Sequence, residues 1–159
     1  MTVYRATLAD KDGAKQIIEV YNDELDIVVR DSEQAFQSYF EPDSGLWLAK
    51  VDNHVVGCVI LRPLPTPGHG EVKRLYVARG YRGQGLSHKL MKALEDYAAQ
   101  INYEWLYLDT KDDLEAAIKL YEQSGYERCE RYNKNPQATI FMRKRLAAQH
   151  NPSKEQQNS

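Results

Sequence analysis

Apolar positions change their period several times along this chain, and each change marks an element. Leu86, Leu90, Ala93, Leu94, Tyr97 and Ala98 recur at steps of three and four, which predicts an amphipathic helix. The stretch before it, Glu71 to Val77, reads as a strand, with Val72, Leu75, Tyr76 and Val77 apolar, aromatic or β-branched. Between the two, Gly80, Gly83 and Gly85 break both patterns.

The rest of the chain supports a strand-and-helix alternation on either side of this unit. Thr2 to Thr7 reads as a first strand. Asp10 is placed to cap a helix carrying Ala14, Ile17, Ile18, Tyr21 and Leu25. Asp31 or Ser32 is placed to cap a second helix through Phe36, Tyr39 and Phe40, stopped by Pro42. Leu46–Val51 and Val55–Leu61 flank Asp52-Asn53 as a hairpin. The three prolines between Arg62 and Gly68 predict a stiff, extended connection. Tyr103 to Thr110 alternates as a strand, and the helix before it makes it parallel to the strand at 71–77. A helix from Asp112 or Asp113 carries Leu114, Ala117, Ile118 and Tyr121, with Gly125 as its C-cap. Tyr126–Tyr132 and Ala138–Leu146 read as the last strands, joined by a turn at Asn133–Gln137. Polar residues fill the chain from Ala147 onward. The expected organisation is one domain over 1–146 and a disordered polar tail over 147–159.

Composition narrows the function classes. The 159 residues carry 21 Lys plus Arg against 23 Asp plus Glu, a formal net charge of −2, which argues against a nucleic-acid partner. The longest apolar run, Val55 to Leu61, is too short to span a bilayer, and the first residues lack a signal-peptide pattern. Cys58 and Cys129 are far apart and read as small core residues in a reducing, cytoplasmic setting. His54, His69 and His88 have no partner spacing that suggests a metal site or a catalytic triad.

A strand, a Gly-rich turn and a helix N-terminus form a natural anion site. The first helical amides lack intrahelical partners, and the helix dipole is positive there. Glycines allow close approach of backbone to ligand, and Arg82 adds a charge at the mouth. The P-loop is excluded because no Lys-Ser or Lys-Thr follows the glycines. The dinucleotide fingerprint is excluded because His88 stands where its third glycine belongs.

Arg82-Gly83-Gln84-Gly85-Leu86-Ser87 resembles the Arg/Gln-x-x-Gly-x-Gly/Ala signature of the GNAT superfamily of N-acetyltransferases, departing from it at Ser87. Ala117-Ile118-Lys119-Leu120-Tyr121-Glu122, followed by Gly125-Tyr126, resembles the family's second signature, in the same order along the chain. The Tyr-Asn-x-Asn-Pro segment at 132–136 is similar to small bacterial members. The resemblance implies an α/β fold, also described as α+β: a mixed, twisted sheet of about six or seven strands with about four helices on both faces. It implies acetyl-CoA as cosubstrate, no metal, and direct transfer of acetyl to a primary amine of a small molecule. A homodimer would be compatible with it.

Residue by residue, the resemblance implies that the strands at 71–77 and 103–109 splay around the pantetheine arm, with a bulge in the first strand. The main chain of Leu75, Tyr76 and Val77 would hold that arm. Arg82, Gly83, Gln84, Gly85, Leu86, Ser87 and His88 would cradle the pyrophosphate. Tyr121 would be the acid for the departing thiolate, and Glu71 the base, with Asp109 in reserve. Acidic residues at 22–26 would suit a cationic acceptor, whereas Arg30, Arg62 and Arg74 would suit a carboxylate. The alternative reading is a CoA-ester-binding regulatory module without transferase activity.

Overall fold

The computed structural model describes residues 1–147, so nearly all of the expected tail lies outside the described residues. Seven strands form one sheet: β1 (Thr2–Arg5), β2 (Gly45–Val51), β3 (His54–Pro63), β4 (His69–Val77), β5 (Trp105–Thr110), β6 (Glu127–Arg128) and β7 (Ile140–Arg145). Four α-helices join them: α1 (Lys11–Glu24), α2 (Glu33–Ser38), α3 (Leu86–Gln100) and α4 (Glu115–Gln123). The spatial order is β1-β2-β3-β4-β5-β7-β6. Neighbours are antiparallel except β4 and β5, which run parallel through the α3 crossover.

Strict alternation on β2 and β3 builds two cores. Leu46, Leu48, Cys58 and Ile60 face α1 and α2, meeting Ile17, Ile18, Phe36 and Tyr39. Trp47, Ala49, Val59 and Leu61 face the other way, toward Leu90, Leu94 and Ala98 of α3. Period-two patterning with apolar residues at both parities is what a sheet covered on both faces requires. Burial of one such leucine contributes about 1.5–3 kcal/mol.

Local chemistry explains most boundaries. Asp52 (φ 49°) and Asn53 (φ 67°) both take the left-handed conformation of a two-residue hairpin turn. Ser32, rather than Asp31, caps α2 by accepting from the Ala35 amide at 3.1 Å. Asp10 stands at the start of α1, but its carboxylate accepts from the Thr7 amide at 2.9 Å and closes the preceding turn. Gly125 (φ 95°) follows the end of α4 in the left-handed conformation expected of a C-cap.

Two expectations are corrected. The proline-rich connection is a tight reversal between β3 and β4, not an extended spacer. Leu64 donates to the His69 carbonyl at 2.9 Å, and Gly68 (φ 80°) supplies the bend. Residues 129–139 do not extend the last two strands, because Tyr132, Asn133 and Asn135 turn their side chains toward Glu71 and Asp109 instead. Cys129 is only half-buried, unlike the buried Cys58.

Candidate active site

The parallel pair β4–β5 opens like a wedge. Pairing covers only His69–Trp105, Gly70–Leu106 and Glu71–Tyr107, and beyond them the strands separate. A bulge in β4 drives the separation: Cys58 faces Tyr76 and Ile60 faces Lys73, so Arg74 and Leu75 together oppose Val59. Arg74 carries the strain, with φ at 53°. Its guanidinium is pinned by Asp31 at 3.0 Å and by the Tyr39 hydroxyl at 3.2 Å, both contacts largely out of solvent. This places the bulge expected in the first of the two splayed strands.

At the open end the chain turns through 79–85 into α3. Gly83 (φ 81°) and Gly85 (φ 80°) are left-handed, and an added Cβ at either would meet nothing within 4 Å. Gly85 begins α3, and no side chain caps that helix start. The first amides of α3 therefore lack both an intrahelical and a capping side-chain partner, next to a turn left open at Gly83 and Gly85. Such a cradle fits a diphosphate.

Arg82 is less free than its sequence position suggests. Its Nε donates to the Val77 carbonyl at 2.7 Å, and an NH2 group pairs with Glu24 at 2.6 Å. Glu24 also takes Arg79 at 2.7 Å. Burial works to raise the Glu24 pKa, but hydrogen bonds from Arg79 and Arg82 win and hold its carboxyl below the usual range. The charge expected at the mouth is therefore partly neutralised by the last residue of α1.

Tyr121 of α4 lies at the floor of a narrow cleft of about 90 Å³ walled by Val72, Arg74 and Leu75 on one strand and Asp109 and Thr110 on the other. The residue is buried. Burial pushes its pKa well up, with Tyr21 and Asp109 adding to the effect. Tyr21 of α1 lines the same cleft, and burial pushes it to about 12. Both phenols hold their protons at neutral pH.

A second cavity of about 600 Å³ adjoins the cleft, a volume suited to small molecules. The two share Tyr21, Val72, Arg74, Asp109 and Asn135. Glu71 is buried in its wall and accepts three hydrogen bonds: from Arg62 Nε at 2.8 Å, Tyr132 at 2.7 Å and Asn133 at 3.2 Å. Asn133 gives its amide also to Asp109 at 2.6 Å, and Asn135 adds a bond of 3.2 Å. One carboxamide thus separates and satisfies two carboxylates. Gln137 crosses the rim, accepting from the Val28 amide at 3.3 Å and donating to the Asp26 carbonyl at 3.1 Å.

Several expected recognition residues are occupied elsewhere. Asp23 pairs with the exposed Arg30 at 3.0 Å, and Glu24 with two arginines, so two of the three acids at 22–26 are already neutralised. Arg62 and Arg74 face the cavity but are bound to Glu71 and Asp31. The proline-rich turn lines a separate groove with Tyr103, away from this cavity. Tyr21, Glu24, Lys73, Tyr132, Asn133 and Asn135 carry the site without having been singled out individually. The only local signal was the Asn-x-Asn-Pro pattern, whose Asx turns bond Asn135 and Gln137 back onto Asn133 and Asn135.

Among the described residues no helix is long and apolar enough to cross a membrane, and no group of three or more His, Cys, Asp or Glu could hold a metal ion. Residues 12–126 match the sequence model of the acetyltransferase (GNAT) family. An uncharacterised N-acetyltransferase of Schizosaccharomyces pombe is 32% identical over 142 residues, which is 84% of this chain and 87% of that protein. A GNAT-family acetyltransferase of Staphylococcus aureus superposes with a TM-score of 0.79 at 20% identity, covering 92% of this chain and 99% of the other. A Salmonella typhimurium structure solved with acetyl-CoA gives 0.74 at 19% identity over 96% and 97% of the two chains.

Proposed function

This chain belongs to the GNAT family of acetyltransferases, and from that membership we propose that it moves acetyl from acetyl-CoA to a primary amine of a small molecule, within a ternary complex. The observation that carries the reading is the cleft between the splayed strands β4 and β5, which is lined by the buried Tyr121 and shares Arg74 and Asp109 with the larger cavity.

The amides of 83–88 receive the diphosphate, and the β4 edge at Leu75, Tyr76 and Val77 takes the pantetheine as an added strand would. The acceptor amine enters from the larger cavity. Its nitrogen attacks the thioester carbonyl and forms the C–N bond as the C–S bond breaks. The carbonyl oxygen gains charge in passing, and a main-chain N–H freed by the bulge at Arg74–Leu75 stabilises it. Tyr121 donates to the departing sulfur. An acceptor that enters as an ammonium releases two protons; one ends on the thiol and the other goes to solvent.

Two carboxylates flank the amine. Asp109 borders both cavities and is held only by neutral amides, so we assign it the ammonium and the first proton. Glu71 already accepts from Arg62, Tyr132 and Asn133, so its oxygens are engaged within the protein. Its role is to orient Asn133, and through that residue Asp109. A thiol-release assay with acetyl-CoA and a panel of primary amines tests the reading. Amine-dependent release of free CoA is expected. Cofactor binding with no release above background would favour the regulatory module instead.

A further inference from the structure

The charges lining the larger cavity do not all find partners within the protein. Arg62 is bound to Glu71 and Arg74 to Asp31. Asp109 has amide donors but, among the described residues, no cation. Lys73 has no ion pair among the described residues, and Lys134 is exposed at the rim. That leaves one cation and one anion facing the interior, Lys73 and Asp109.

Their positions follow from the register. Glu71 and Tyr107 are the last paired couple, so Lys73 and Asp109 stand two residues further on, level with each other across the opening. They share the sheet face of Glu71 and Tyr107 because strand parity is two. Asp109 borders both cavities, whereas Lys73 borders only the larger one. The anion is thus at the end nearer Tyr121, and the cation is farther out.

We propose that the acceptor is an amino acid or a similar small amine carrying a carboxylate, its amino group at Asp109 and its carboxylate on Lys73. This rests on the acetyl-transfer reading and specifies its substrate class. A desolvated cation with no internal counter-ion is poised for an anionic ligand. Burial lowers Lys73 to about 8, helped by repulsion from Arg74 and Arg62 and opposed by Asp31 and Glu71, and an incoming carboxylate would act against that lowering.

The test is thiol release with acetyl-CoA and each proteinogenic L-amino acid against its own C-terminal amide, with putrescine as a carboxylate-free diamine. The best amino acid should exceed its amide by at least about tenfold in kcat/KM, the value of one charge-assisted contact. Lys73→Gln should bring that ratio to within about threefold of one, and Lys73→Glu should turn the preference toward putrescine. Thermal unfolding of each variant reports whether it is folded. Wild-type enzyme that acetylates amides as well as acids overturns the proposal, as does a folded Lys73→Gln that keeps the original ratio. Release of CoA with putrescine alone sinks only this inference. Absence of release with every amine, while acetyl-CoA still binds, sinks the transfer reading beneath it.

Discussion

The cradle at 82–88 and the cavity beneath 133–137 are built on opposite plans. The cradle is main chain: left-handed glycines and one helix start that no side chain caps, all within a few consecutive residues. The cavity is side chain: Arg62, Glu71, Lys73, Asp109 and Asn133 arrive from β3, β4, β5 and the loop before β7. A backbone site suits a ligand part that is the same in every reaction. A side-chain site can be changed one residue at a time and suits the variable partner. We place Tyr121 at the boundary: it lines the cleft that adjoins the cavity and shares Arg74 and Asp109 with it.

Breaking the cradle should have the largest effect. Gly85→Val puts a β-branched residue at φ 80° and a side chain into the space left for the ligand. Calorimetry should show acetyl-CoA affinity reduced about a thousandfold, the loss of two charge-assisted hydrogen bonds. Unchanged affinity would mean the diphosphate binds elsewhere. Next is the boundary: Tyr121→Phe should lower kcat about a hundredfold and leave the acetyl-CoA dissociation constant within about threefold. A change in affinity alone would make Tyr121 a packing residue.

Legibility in the sequence follows the same division. Gly83, Gly85 and the apolar stripe of α3 lie close together, so their spacing alone revealed strand, turn and helix. The β4 bulge was expected through family resemblance, not from the residues. Arg74 combines its positive φ with a bond to Asp31, 43 residues away, and no local pattern encodes that contact. The ties of Glu71 to Tyr132 and Asn133 span 61 and 62 positions. Charge counting along the chain also had no way to show that the fold brings arginines to Asp23 and Glu24.

The cavity side offers smaller tests. Asn133→Ala removes the donor shared by Glu71 and Asp109 and leaves two carboxylates facing each other. It should lower kcat/KM for the acceptor about ten- to thirtyfold without weakening acetyl-CoA binding. An equal loss on the cofactor side would erase the distinction between the two regions. The smallest effect is on stability. Lys73 loses its proton at about 8 in the folded protein, against the ordinary lysine value of 10.5 in the unfolded chain. The unfolded state binds more protons between those values, so this group makes stability rise with pH across that window, while below it the penalty of the buried charge is complete. Lys73→Met should remove that rise in denaturant midpoints measured from pH 8 to 10. Parallel curves for the two proteins would show a fully solvated ammonium.

The most direct probe of the cradle is the amide spectrum of ¹⁵N-labelled protein titrated with CoA. The amides of Gly83 to His88 should show the largest shifts, moving downfield as they donate to the diphosphate, while acetylated pantetheine lacking that group should leave them in place. Shifts concentrated elsewhere, with these six unmoved at saturating CoA, would contradict the account.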